Sequence, residues 1–400
     1  MFRPIRLQHV SMKHRPPLSA FSTSNKRPLL FGPGPSNPYP RALLAMSRDT
    51  LGHLHPSFIP VMNSVKKELQ RVFQTSNKVT FPLSATGSGA MEASLVNLLE
   101  PGESVAIACH GYWGDRITNM ALRQNLKPIR IEGPWGEVIP VDKIAKIIKQ
   151  QKPHALFVVH GESSTGICQP LHELKDICGD TLLIADTVVT LGGMPVFTDK
   201  WGLDVVYSGS QKCLSCTPGL SLISFSERAM DKIRKRKTLI SSFYFDVLEL
   251  QKYWDDDKIY HHTAAINNIY ALDETLKYIN TVGLPTMWCQ HKDVAEYFYQ
   301  QLNRIKLQPL VPNVEDRLFP LTTVCIPDGI NGKAVQRDLV NNHGIEIAGG
   351  LGQLTGKVWR VGFMGSNATR ENVDMFMEAF TNVLNKHGFN NDHINDHMCI

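Results

Sequence analysis

Short β-branched runs alternating with helical periodicities predict an α/β protein: a large domain on a mostly parallel sheet, then a smaller C-terminal α/β unit. The strand candidates are KVTFPLSA (78–85), SVAIAC (104–109), HALFVVHG (154–161), TLLIAD (181–186), LDVVYS (203–208) and LSLISFS (220–226). They are nearly continuously apolar, as strands covered on both faces are, and do not alternate as half-exposed strands do. Helical spacing fills the intervals. In AMEASLVNLL (90–99), Met91, Leu95, Leu98 and Leu99 share one face.

The chain of 400 residues suits one large domain plus a smaller one. A long helical stretch around 264–283 leads out of the first, which is expected to occupy 28–285 with an N-terminal arm. The second, 286–390, has strands at LTTVCIP (321–327) and KVWRVGF (357–363) and helices near 289–303, 333–342 and 370–387. Residues 391–400 are polar and read as a disordered tail.

Residues 1–27 hold Arg3, Arg6, Lys13, Arg15, Lys26 and Arg27 and no acidic residue. An Arg- and Ser-rich, acid-free start without an unbroken apolar core reads as a mitochondrial transit peptide, although Pro4, Pro16 and Pro17 break any long helix there. That segment accounts for the formal charge of +5, since the rest balances at 36 basic against 37 acidic residues. No concentrated basic footprint of a nucleic-acid-binding protein is present. The run Arg234–Lys237 reads as a solvated helix face. No apolar run approaches the ~20 residues of a membrane span. The eight cysteines are scattered, and reduced thiols are expected. Cys213 and Cys216 form the one C-x-x-C, without the further ligands of a zinc site.

Three strand ends carry chemistry. After the first strand, Thr86-Gly87-Ser88-Gly89 opens a helix. Small residues there let the backbone close on an anion, and helix-start N–H groups point at it. A dinucleotide fingerprint would need a third glycine where Glu92 stands. Alone, this turn is equally consistent with a tight turn that binds nothing. Asp186 ends TLLIAD. A carboxylate in that position suits a ring nitrogen that it keeps protonated, or it caps the following turn. Lys212 ends YSGSQK. An amine partly desolvated among small residues has a lowered pKa and attacks an aldehyde. Trp113, in HGYWGDR, offers an aromatic face for stacking, or ordinary core packing.

These residues resemble the class V aminotransferases of the fold-type I pyridoxal 5′-phosphate (PLP) enzymes, and among them the alanine–glyoxylate (serine–pyruvate) branch. The resemblance runs over about 28–388, through LLFGPGPSNPYPR, EASLVNLLEPGES, HGESSTGICQPL, YSGSQKCLSCTPGLSLISFS, YHHT, IEIAGGLG and GKVWRVGFMGSNATRENVD. It implies that Lys212 holds PLP as a Schiff base and that Asp186 pairs with the pyridinium. It implies that Trp113 stacks on the ring and Ser163 contacts the phenolic oxygen. Thr86, Gly87 and Ser88, helped by Gln211, fall at the phosphate-loop positions. Tyr260 and Thr263 match residues that reach the phosphate from a neighbouring subunit, which implies a homodimer. Arg360 matches the arginine that clamps the substrate carboxylate, and Gly34 a backbone contact to it.

Two departures matter. The spacing in TGSGAMEA is shifted from many relatives, leaving open which of Thr86, Gly87 and Ser88 meets phosphate. His53-Leu54 replace the Asn-Phe of the insect hydroxykynurenine transaminases, which argues against an aromatic substrate. The related desulfurases carry His before the lysine and a reactive cysteine on a mobile loop; here Gln211 precedes Lys212 and Cys325 falls in an apolar strand. The expected substrates are alanine or serine with glyoxylate or pyruvate.

Overall fold

The computed structural model of the protein describes residues 28–255 and 257–389. The expected transit peptide (1–27) and polar tail (391–400) lie outside the described residues.

The large domain is built on a seven-stranded sheet. Its strands are β1 (Val79–Leu83), β2 (Ser104–Cys109), β3 (Lys127–Glu132), β4 (Ala155–Val159), β5 (Leu182–Asp186), β6 (Val205–Gly209) and β7 (Ser221–Phe225), in the spatial order β1-β7-β6-β5-β4-β2-β3. Neighbours from β6 through to β3 pair in parallel. Only β7 runs the other way, antiparallel to both β1 and β6. The carboxyl ends of six strands therefore lie on one edge. In β1, β4, β5, β6 and β7 every residue is buried, which accounts for the unbroken apolar runs.

The strand the sequence did not announce is β3. Its KPIRIE alternates charge with apolar residues and is mostly exposed, because it is the sheet edge and only Ile131 is fully buried. Such charges are how an edge strand resists pairing with another chain.

Helices α1 (Ile59–Phe73), α2 (Gly87–Leu98), α3 (Tyr112–Arg123) and α4 (Ile266–Val282) pack with this sheet in one apolar core running from Ala42 to Met287. Helix α2 begins at Gly87, with Thr86 as its N-cap, so the glycine-rich turn is the first helical turn itself. The basic run at 234–237 is not only a solvated face. Arg236 donates to the carbonyls of Asn97 (3.0 Å) and Leu99 (2.7 Å), closing the C-terminus of α2, where a cation is favoured.

Beyond α4, helix α5 (Leu284–Arg304) leads into a second core formed by Val294, Phe298, Trp359, Phe376, Phe380 and their neighbours. Its antiparallel sheet has the order β8 (Leu321–Cys325), β10 (Val358–Gly362), β9 (Ala348–Gly349), and α6 (Arg370–Lys386) packs on it. Phe31 also belongs to this second core, and Leu29–Leu30 pair in parallel with Ile345–Glu346. The described chain thus starts against the small unit and crosses to the large one at residues 33–39. Along β10 the side chains alternate: Trp359 and Val361 enter the small core, which turns Arg360 the other way. Among the described residues Cys109, Cys168, Cys178, Cys213, Cys216 and Cys289 are free thiols.

Candidate active site

Five strand ends converge on one cavity of about 530 Å³ of empty space. Its walls include Thr86, Gly87 and Ser88 after β1, Trp113 after β2, Gly161 and Ser163 after β4, Asp186 at the end of β5, and Gln211 and Lys212 after β6. Residues distant in sequence meet here because parallel strands deliver their carboxyl ends to the same edge, where open α/β sheets bind ligands. Met91, Val188 and Val189 complete the apolar part of the wall.

Lys212 is held from the arm. Its Nζ donates to the carbonyl of Pro33. Gly34 follows with φ of +104°, and a Cβ added there would stand 2.5 Å from Lys212 Nζ. Only glycine allows both that backbone and that approach. Ser36 secures the lysine loop: its N–H donates to the Gln211 carbonyl (2.8 Å) and its hydroxyl to the Lys212 carbonyl (2.7 Å). Burial, and next the positive charge of Arg360, lower the Lys212 amine to a pKa of about 8.

Asp186 accepts from the Val188 amide (2.9 Å) and from the Tyr207 hydroxyl (2.7 Å). It has no salt bridge among the described residues. Burial outweighs both hydrogen bonds and raises its carboxyl to about 6. An acid left in this state has room for a cationic ring nitrogen as partner.

Arg360 is 7% exposed, donates from Nε to the Gly349 carbonyl (2.8 Å) and from Nη1 to the Ser163 carbonyl (3.3 Å), and makes no salt bridge among the described residues. Desolvation lowers it to about 10, with the Glu162 carboxylate pulling the other way. Trp113 donates its indole N–H to the Ser163 hydroxyl (2.7 Å), and the Arg116 guanidinium lies 4.6 Å from its ring centroid. Arg116 also donates to the Ser88 hydroxyl (3.3 Å).

Residues 38–376 match the family model of the class-V aminotransferases. The chain belongs to the class V aminotransferases. It is 41% identical over 361 residues to an alanine–glyoxylate aminotransferase of Callithrix jacchus, covering 89% of this chain and 87% of the relative. Among solved structures it is similar to an alanine–glyoxylate aminotransferase of Nostoc sp. (44% identity, TM-score 0.88, 95% of this chain and 100% of that one). It is also similar to the ureidoglycine–glyoxylate aminotransferase of Bacillus subtilis (34% identity, TM-score 0.90, 94% and 97%).

Class V aminotransferases work with PLP, and this cavity fits it. Besides Asp186, which lacks a cationic partner among the described residues, the Gln211 side-chain oxygen is buried with no hydrogen-bond partner among them. The Thr86 side chain makes no cap hydrogen bond, and the Gly87 and Ser88 amides at the start of α2 have no acceptor among the described residues, whereas the Gly89 amide already donates to the Thr86 carbonyl. Together they leave a place for a phosphorylated pyridine.

Of the site residues expected from the class V resemblance, Thr86, Gly87, Ser88, Trp113, Ser163, Asp186, Gln211 and Lys212 line the cavity. Arg360 reaches its edge through Ser163, and Gly34 packs on Lys212. Tyr260 and Thr263 do not line it; both are exposed on the surface of this chain. Sequence reasoning passed over Pro33, Ser36, Arg116 and Glu162. The arm residues act through backbone contacts that side-chain chemistry does not announce. Glu162 had one signal, an acidic residue directly after an apolar strand.

Proposed function

We propose that this aminotransferase moves the amino group of a small monocarboxylic amino acid, alanine or serine, onto glyoxylate or pyruvate in two half-reactions at one site. The observation that carries the reading is Arg360: a buried guanidinium with no salt bridge among the described residues, at the edge of a cavity that holds Lys212 and Asp186. Its remaining N–H groups form a fork for one carboxylate.

PLP bound to Lys212 would supply an electron sink for the bond broken at the substrate Cα. Asp186 keeps the ring nitrogen protonated. Trp113 would stack on the ring, and Ser163 would contact its phenolic oxygen. Thr86, Gly87, Ser88 and Gln211 hold the phosphate. Lys212 would carry the proton away from Cα, and its lowered pKa leaves a useful neutral fraction near neutrality. Gly34 keeps that lysine in reach and lies beside the carboxylate position.

Glyoxylate as acceptor is supported by the names of both the alanine–glyoxylate and ureidoglycine–glyoxylate relatives, which differ in donor. A second buried charge in the substrate would need a partner of its own, at a cost of several kcal/mol if unmet. The test is a donor panel with glyoxylate: alanine, serine, ureidoglycine, glutamate and 3-hydroxykynurenine. Alanine or serine should lead. Faster turnover of any of the other three would overturn the donor assignment.

We further propose a homodimer. Tyr260 and Thr263, with Leu54, Phe243, Tyr244 and Ile259, form an exposed and largely apolar surface around the ring contacts of His53 with Tyr260 and Phe243 with His261. A second copy covering it would bring Tyr260 and Thr263 toward that copy's phosphate. Sedimentation showing a fully active monomer would contradict this. Mitochondrial import is proposed from the acid-free, Arg-rich residues 1–27. A reporter fused to that segment and found diffuse in the cytosol would count against it.

A further inference from the structure

Behind the cavity wall, Glu162 is wholly buried and touches neither the cavity nor Lys212. All its hydrogen bonds are accepted ones. Oε1 takes the Ser164 amide (2.9 Å) and hydroxyl (2.6 Å), and Oε2 takes the Trp113 amide (3.1 Å). The Ser164 hydroxyl oxygen in turn accepts from the Tyr112 amide (3.0 Å). Tyr112 and Trp113 are the first two residues of α3, whose N-cap, Gly111, has no side chain to offer. The amides that a capping residue would satisfy are satisfied from across the site.

Gly111 makes the room, since a Cβ there would stand 2.6 Å from Glu162 Oε2. Ser163, between the two acceptors, takes the Trp113 indole N–H on its hydroxyl and Arg360 Nη1 on its carbonyl. One three-residue turn thus fixes the backbone and ring of Trp113 and the position of Arg360 relative to them.

We infer that Glu162 is a positioning residue for transamination: by capping α3 through the Trp113 amide it sets the plane on which the cofactor ring stacks, and its turn sets the distance from that plane to the carboxylate clamp. The inference rests on the assignment of Trp113 and Arg360 above. A carboxylate meeting three donors and no acceptor is matched to its ionised form, although burial raises it to about 7.

The test uses the holoenzyme with Glu162→Gln and, as control, Ser164→Ala. A glutamine keeps one oxygen, which the two Ser164 donors claim, and turns its amino group on the Trp113 amide. Ser164→Ala disturbs the same helix start but leaves the Trp113 contact. With Glu162→Gln the visible circular dichroism of bound PLP should fall, and its dissociation constant should rise about tenfold, the weight of one hydrogen bond to a charged group. With Ser164→Ala both should stay within about twofold. Unchanged dichroism and affinity in Glu162→Gln, or equal changes in both variants, would reduce Glu162 to a structural acid and overturn the inference. If Glu162→Gln does not fold, Gly111→Ala displaces the carboxylate without removing it and should show the same spectral loss. Wild-type protein that binds no PLP would instead refute the assignment beneath it.

Discussion

Truncating Arg360 to alanine tests the carboxylate clamp directly. Of the five N–H donors of a guanidinium, one goes to the Gly349 carbonyl and one to the Ser163 carbonyl. Three are left for the substrate. Removing one side of a buried, hydrogen-bonded charge pair costs about 3–5 kcal/mol, and about 1.4 kcal/mol is a factor of ten. Water entering the vacated space would solvate part of the stranded carboxylate, so the lower end applies. The expected loss in kcat/KM is therefore roughly a hundredfold to a thousandfold. It should be alike for alanine and for glyoxylate, since both present the same group. Single-turnover half-reactions followed by cofactor absorbance measure each direction separately. Ethylamine, alanine's amine without the carboxylate, is the internal control. The wild type should favour alanine strongly, and Arg360→Ala should erase most of that preference by slowing alanine alone. A loss under tenfold, or an equal loss with ethylamine, would refute the clamp.

Asp186→Asn should separate stability from function. The folded carboxyl sits near 6, above its ordinary 3.8, so folding takes up a proton and apoprotein stability falls as pH rises through roughly 4 to 6. An amide escapes that penalty, so the variant apoprotein should resist urea better at pH 8, by up to roughly 3 kcal/mol, and match the wild type near pH 3. Its PLP affinity should drop; an apoprotein weaker than wild type at pH 8 would contradict the burial argument. The Lys212 amine must be neutral to attack an aldehyde, so the rate of PLP attachment to apoprotein should climb through a midpoint near 8. Arg360→Ala, removing a repelling charge, should move that midpoint upward, and a stopped-flow midpoint near 10 in wild type would show that the amine is not desolvated. Gly34→Ala combines a positive φ with a Cβ against Lys212 Nζ, so borohydride-trapped PLP should fall sharply and the melting temperature should drop. Wild-type values of both would dismiss the packing role of the arm.

The sequence by itself determined the large α/β domain and much of its site. Continuous apolar runs mark strands buried on both faces, and three of the six runs lead into a residue of unusual chemistry: Thr86, Asp186 and Lys212. That pattern is local, because a strand's burial and its terminal residue are neighbours in the chain. Edge strand β3 escaped, because its exposed residues Lys127, Arg130 and Glu132 fall on both faces and make it resemble a polar loop.

Tertiary structure decided what depends on approach between distant segments. The Pro33 carbonyl on Lys212 spans 179 residues and is made by a backbone atom that every residue type possesses. The arm's strand pairing with Ile345–Glu346 involves two residues, too few for any periodicity. Arg360 faces the site because its neighbours Trp359 and Val361 are drawn into the second core, and that choice of face is fixed by packing against α6. Glu162 shows the limit most clearly. As a letter it is one acidic residue in HGESSTG, and its meaning lies in a glycine 51 positions earlier that leaves room for its carboxylate beside a helix start. Local sequence encodes where strands end; only packing determines which ends meet and what stands behind them.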